Sequence, residues 1–178
     1  MNHRLHSKPF IGLIALYTII STSSTNACEH ILGKWQSSKS LSLDYAKQRT
    51  DKKYSDKQIQ LLQDIFGIGQ VEFTPTSYIF FIPEHTTRIQ DQLKKNAEQI
   101  HTNNIVYTVC QKDKVIIAEN QTKLKENKHT IEALKIMDIS IEEFTTHTLH
   151  FVDKNTYWTS PLPRMSNLRE YFVRIPKD

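Results

Sequence analysis

Short apolar runs separated by turn-forming residues, with few helices between them, constrain this chain more than any other feature. Val71 and Phe73 alternate with polar neighbours, Thr74-Pro75-Thr76-Ser77 carries turn chemistry, and Tyr78-Ile79-Phe80-Phe81-Ile82 returns before Pro83. Asn103-Asn104 reads as a turn leading into Ile105-Val106-Tyr107-Thr108-Val109-Cys110. That run pairs with Val115-Ile116-Ile117-Ala118 across Lys112-Asp113-Lys114. Thr146 to Val152 and Thr156-Tyr157-Trp158-Thr159 form a third hairpin across Asp153-Lys154-Asn155. Ile31 to Leu43 and Leu168 to Ile175 supply an opening and a closing strand. Parallel sheets need a crossover of a dozen or more residues between strands. The pattern therefore excludes an α/β fold and leaves a mainly β, antiparallel barrel or sandwich.

Two helices are expected between the early strands. Ser55 and Gln58 have capping-box spacing, Ile59, Leu62, Ile65 and Phe66 recur at helical intervals, and Gly67 stands where a glycine ends a turn. This predicts a helix at 56–66. Ile89, Leu93, Ala97 and Ile100 form a narrow stripe that predicts a second helix near 87–100, lying on the surface. Residues 44–54 show no buried face, residues 119–130 read as a polar loop, and 130–141 fit neither period. Lys123 to Lys128 is expected to be part of that solvated loop. At 178 residues the chain has room for one core.

The first 27 residues have the three zones of an export signal. Arg4 and Lys8 precede an uncharged apolar run from Phe10 to Ile20, and small polar residues lead to Thr25-Asn26-Ala27, an acceptable cleavage site. The run is too short to span a bilayer as a helix, which takes about 20 residues. The mature domain is thus expected to cover 28–178 and to lack a transmembrane helix, with its location the periplasm or cell envelope of a bacterium. Cys28 then has two competing uses. Acylation as a lipid anchor requires a Leu-like residue three positions earlier, and Thr25 stands there. A disulfide with Cys110, the only other cysteine, suits an oxidising compartment and would contribute about 4 kcal/mol in the chain-entropy model.

Charge argues against nucleic acid as a partner. The chain carries 23 Lys and Arg against 19 Asp and Glu, and loss of Arg4 and Lys8 with the signal halves that excess. The remaining bases are interleaved with acids and form no stripe.

Gly33-Lys34-Trp35 near the start of the mature chain, followed by hairpins, resembles the Gly-x-Trp opening of the lipocalin and fatty-acid-binding-protein superfamily. The resemblance implies an antiparallel up-and-down barrel whose last strand lays a basic residue across that tryptophan, a place that Arg174, or alternatively Arg169, matches. A guanidinium over an indole face is worth about 0.5–2 kcal/mol. The chain is also similar to small exported bacterial proteins with a lipocalin-like domain.

Chemistry-bearing motifs are sparse, and neither catalytic residues nor a cofactor are expected. His147 and His150 lie an odd spacing apart on a strand, which sends them to opposite faces and argues against a shared metal. No Gly-x-Ser-x-Gly elbow exists, and Gly33, Gly67 and Gly69 are too few and too scattered for a phosphate-cradling loop. Glu132, Glu142 and Glu143 read as solvated carboxylates. Aromatic residues on the strands remain. Tyr78, Phe80, Tyr107, Trp158 and Tyr171 either line an apolar pocket for a small ligand or fill a solid core. The expectation is an exported, non-enzymatic protein that binds a small apolar ligand. The alternative is a periplasmic inhibitor or immunity protein that caps a partner through a loop or the 87–100 helix.

Overall fold

A computed structural model describes residues 25–49, 51, 53–89, 92–161 and 167–176 of the chain. Most of the expected export signal, residues 1–24, lies outside them. The chain opens with a 3-10 turn, Thr25–Ile31, and then forms β1 (Gly33–Ser37), α1 (Lys39–Gln48), α2 (Asp56–Ile65), β2 (Gln70–Phe73) and β3 (Ser77–Ile82). A hairpin of β4 (His85–Ile89) and β5 (Gln92–Asn96) follows, then β6 (Gln99–Cys110) and β7 (Lys114–Glu119). Three helices, α3 (Thr122–Glu126), α4 (Lys128–Ile136) and α5 (Ile141–Thr145), lead to β8 (Thr146–Asp153), β9 (Thr156–Thr159) and β10 (Glu170–Arg174). Among the described residues no helix is long and apolar enough to cross a membrane.

Eight strands close into an antiparallel barrel in the order β1-β10-β9-β8-β7-β6-β3-β2, with β4 and β5 as a separate two-stranded sheet. Each barrel strand thus lies beside its neighbours along the chain, and closure removes every free edge. Following the strand directions, the turns β2–β3, β6–β7 and β8–β9 fall at one end together with the 3-10 turn. The helices and the β4–β5 hairpin fall at the other, where β9 ends and β10 begins. The barrel therefore has a tight floor and an elaborated mouth.

The floor is built around Trp35, which is 0% exposed. Its Nε1 donates to the Ile31 carbonyl at 2.8 Å, and its ring meets Tyr157 edge-on with centroids 4.8 Å apart. Arg174 sits opposite Trp35 in the β1–β10 register, with its guanidinium carbon 4.1 Å from the indole centroid. Its Nη1 donates to the Leu32 carbonyl at 2.8 Å and its Nη2 to that of His30. Gly33 is needed for this approach. Its φ of +115° disfavours any side chain, and a Cβ there would lie 3.4 Å from Arg174 Nη1. Cys28 in the 3-10 turn is disulfide-bonded to Cys110 at the end of β6, with Cα atoms 5.2 Å apart, an ordinary separation for such a bridge. First strand, last strand and leading turn are in this way fastened together.

A second, smaller core lies beside the mouth. Leu43 and Ala46 of α1 pack with Leu62 and Phe66 from α2 and its C-terminus, and the Tyr171 amide donates to Ser42 Oγ at 2.9 Å, pinning α1 to β10. The predicted helix at 56–66 is present as α2, capped by Ser55 and Gln58 in a capping box. Gly67 follows it with φ +87°, and a Cβ there would come within 2.7 Å of the Lys39 Cβ.

Several expectations need correction. The 87–100 segment is not a helix but the β4–β5 hairpin and the start of β6. Of its apolar stripe, Leu93 is 70% exposed and Ile100 61%. The β-branched Thr86 and Thr87 favour strand pairing opposite Lys95 and Lys94. Lys95 reaches Glu84 at 2.8 Å, and Asn96 Nδ2 donates to Thr87 Oγ1 at 3.0 Å. The helix offered to a protein partner is therefore absent. The opening strand ends at Ser37, and α1 takes residues 39–43 of the expected strand together with 44–48 of the polar stretch that shows no buried face in the sequence. Residues 119–141 hold α3 and α4, and Asn103-Asn104 lies inside β6.

Candidate functional site

Strand pairing fixes which side chains face the bore. Trp35 is paired with Val71, Val71 with Phe80, Phe73 with Tyr78, and Tyr78 with Asn103. The same parity continues through Ile105 with Glu119, Ile117 with His147, Phe151 with Tyr157, and Tyr157 with Phe172. Toward the floor these inward positions are apolar and packed. Toward the mouth they turn polar, and the packing opens.

Two adjoining spaces result. An inner cavity of about 240 Å³ is walled by Phe73, Phe80, Ile117, Leu149, Tyr157 and Phe172, with Glu170 at its side. It shares Tyr78, Phe80, His147 and Thr159 with a cleft of about 1180 Å³ that runs out over the rim past Asn103, Glu119 and Phe144.

At the junction Glu119 organises a hydrogen-bonded group. Tyr78 Oη donates to Glu119 Oε1 at 2.5 Å, and His147 Nε2 approaches the same oxygen at 2.5 Å. Asn103 Nδ2 donates to Glu119 Oε2 at 2.9 Å and to Tyr78 Oη at 3.0 Å. Burial pushes the Glu119 carboxyl up, but the hydrogen bonds from His147 and Tyr78 and the His147 charge outweigh it, so the net shift is downward. Burial and the Glu119 carboxylate raise the Tyr78 phenol, which stays a donor. Glu170 behaves differently. Ser37 Oγ donates to its Oε1 at 2.6 Å, yet burial dominates and raises its carboxyl above the ordinary 4.5. Among the described residues no three His, Cys, Asp or Glu side chains gather as a metal would require.

Of the residues expected to line a pocket, Tyr78 and Phe80 do so. Tyr107 faces inward but belongs to the floor half, where its hydroxyl donates to the Thr74 carbonyl at 2.6 Å and burial pushes its phenol up to about 12. Tyr171 is corrected to the outer face, where its ring meets Tyr45 of α1 at 6.1 Å. Trp158 also points outward, stacked on His150 at 4.0 Å with the Arg169 guanidinium carbon 4.0 Å over its ring, and borders only the part of the cleft that spills over the rim. Tyr157-Trp158 and Tyr171-Phe172 are adjacent aromatic pairs, and a strand sends one member of each inward. Tyr157 and Phe172 take those places. His147 and His150 lie on opposite faces, as the period of two requires.

Glu119, His147, Asn103 and Glu170 are absent from the residues that sequence reasoning assigned to the pocket. A usable signal was present. Glu119 has the parity of Val115 and Ile117, His147 that of Leu149 and Phe151, and Glu170 that of Phe172, so each is a polar residue on the apolar face of its strand.

No protein-family model matches the chain, and no curated protein sequence matches it. Among solved structures, a lipocalin-like protein from Bacteroides uniformis ATCC 8492 is similar, with 11% identity over 82% of this chain and 99% of that one, and a TM-score of 0.38. The eight strands in closed up-and-down order, with the Arg174 side chain laid across Trp35 between first and last strand, form an antiparallel barrel.

Proposed function

We propose that this chain is an exported, non-enzymatic protein that holds one small ligand, apolar over most of its surface, in the mouth of its barrel. The observation that carries the reading is the pair of adjoining spaces, which share Tyr78, Phe80, His147, Thr159, Ser160 and Pro161 as wall. The inner cavity alone, about 240 Å³, falls just short of a common ligand site of about 300 Å³, and with the cleft it exceeds it. An apolar body would sit against Phe80, Leu149 and Phe172, and Glu119, Tyr78 and His147 would meet a polar end. Export is supported by Arg4, Lys8, the apolar run to Ile20 and the small residues before Cys28.

Titration of residues 28–178 with the neutral probe N-phenyl-1-naphthylamine tests the binding. One saturable site is expected, with affinity at least tenfold weaker in Thr159→Trp, which places an indole where both spaces meet. A fluorescence rise that never saturates, or one indifferent to that substitution, contradicts the reading. Expression of the full chain in a bacterium with N-terminal sequencing tests export. Cys28 as first residue in the periplasmic fraction supports it, and an intact Met1 in the cytoplasm opposes it.

A further inference from the structure

The chain has 23 Lys and Arg against 19 Asp and Glu, yet among the described residues neither the inner cavity nor the cleft is lined by any Lys or Arg. Glu119, Glu142, Glu143 and Glu170 line them instead. The inner cavity adds the rings of Phe73, Phe80, Tyr157 and Phe172. Aromatic faces carry negative potential and attract cations, most strongly where water is excluded.

The two inward carboxylates are not equivalent. Glu119 already takes hydrogen bonds from Tyr78, His147 and Asn103. Glu170 accepts from the Ser37 hydroxyl and forms no ion pair among the described residues. It stands at the wall of the apolar cavity, beside the stacked rings of Tyr157 and Phe172, whose centroids are 5.1 Å apart. A carboxylate placed there would meet the Glu170 carboxyl and, among the described residues, no Lys or Arg.

We propose that the ligand is a compact organic cation of the arylalkylamine class, its ammonium group beside Glu170 and its ring among Phe80, Tyr157 and Phe172. The assignment rests on the binding reading given above, keeps its apolar wall, and moves the polar end from Glu119, whose oxygens are already bonded, to Glu170. Burial raises the Glu170 carboxyl, and an ammonium partner offsets that cost by favouring the ionised form.

Three ligands of nearly equal size separate the possibilities: 2-phenylethylammonium, 2-phenylethanol and 3-phenylpropionate, titrated by calorimetry into residues 28–178 at neutral pH. The ammonium is expected to bind at least tenfold more tightly than the alcohol, with the propionate weakest. In Glu170→Gln the ammonium should lose at least tenfold while the alcohol is unchanged, and retained alcohol binding reports that the variant is folded. The order among the three ligands in the unmodified protein decides the proposal even if that variant does not fold. Equal or tighter binding of the alcohol or the propionate overturns the cation while leaving a ligand-binding barrel. So does an ammonium preference that survives Glu170→Gln. If N-phenyl-1-naphthylamine binds and none of the three does, the cation proposal alone falls; if nothing binds, both readings fall.

Discussion

Trp35 and the two inward glutamates show how single positions set the behaviour of the barrel. Trp35 is completely buried, and Arg174, Tyr157 and the Ile31 carbonyl all contact it. Trp35→Ala should lower unfolding stability by about 3–5 kcal/mol in urea titrations, the range for truncating a large core aromatic; an unchanged midpoint would remove it from the core. Glu119 and Glu170 predict opposite responses to pH. The Glu119 carboxyl is lowered in the folded state, so its contribution is present above the ordinary carboxylate range and is lost as pH falls through the folded value. Glu119→Gln should cost about 1–3 kcal/mol at neutrality, the worth of hydrogen bonds to a charged group, and progressively less below about pH 4. Glu170 is raised, so its contribution is full below the ordinary value and is lost as pH climbs through the folded one. Glu170→Gln should therefore stabilise the protein at neutral pH and change little in acid. Urea midpoints measured from about pH 3 to pH 8 check both signs. Parallel profiles for the two variants would contradict the assignment of these environments. Neither glutamate stood out by residue type. Their parity with Ile117 and Phe172 was readable along each strand, once Glu119 and Glu170 are counted into β7 and β10.

The elements divide by how local their instructions are. The helix α2 was legible because its capping box, its apolar spacing and Gly67 all lie within a dozen residues and agree. Ser55→Ala should destabilise by about 1 kcal/mol, the usual worth of an N-cap, seen as a lower thermal midpoint. By contrast α1 was hidden, because Ser42, Leu43 and Ala46 become a buried face only against Leu62 and Phe66, which come later in the chain. The β4–β5 hairpin was misread for the converse reason. Leu93 and Ile100 are exposed, so their helical spacing carried no folding information. The disulfide acts between elements, joining the leading turn to β6 across a sequence separation of 82. The chain-entropy model gives it about 4.5 kcal/mol, and its reduction should lower the urea midpoint accordingly. Thiol titration of the unfolded, unreduced protein should find no free thiol, and two would refute the bridge.

At the scale of the whole molecule, the two ends of the barrel divide the work. Short turns, the 3-10 segment and the Trp35–Arg174 contact close the floor. The helices and the β4–β5 hairpin gather at the mouth, which holds both spaces and the polar group around Glu119. The succession of hairpins left a barrel or a sandwich, and the Gly33-Lys34-Trp35 resemblance pointed to the barrel, whose closing β1–β10 pairing joins the two ends of the chain. The site was readable only in part, since it depends on which member of each aromatic pair turns inward. Amide chemical shifts of isotope-labelled residues 28–178, followed while N-phenyl-1-naphthylamine is added, test the location of binding most directly. The account predicts saturable shifts at Tyr78, Phe80, Ile117, Leu149 and Glu170, with the amides of Gly33 and Trp35 at the floor unmoved. Shifts confined to the outer surface, or scattered without saturation, would contradict it.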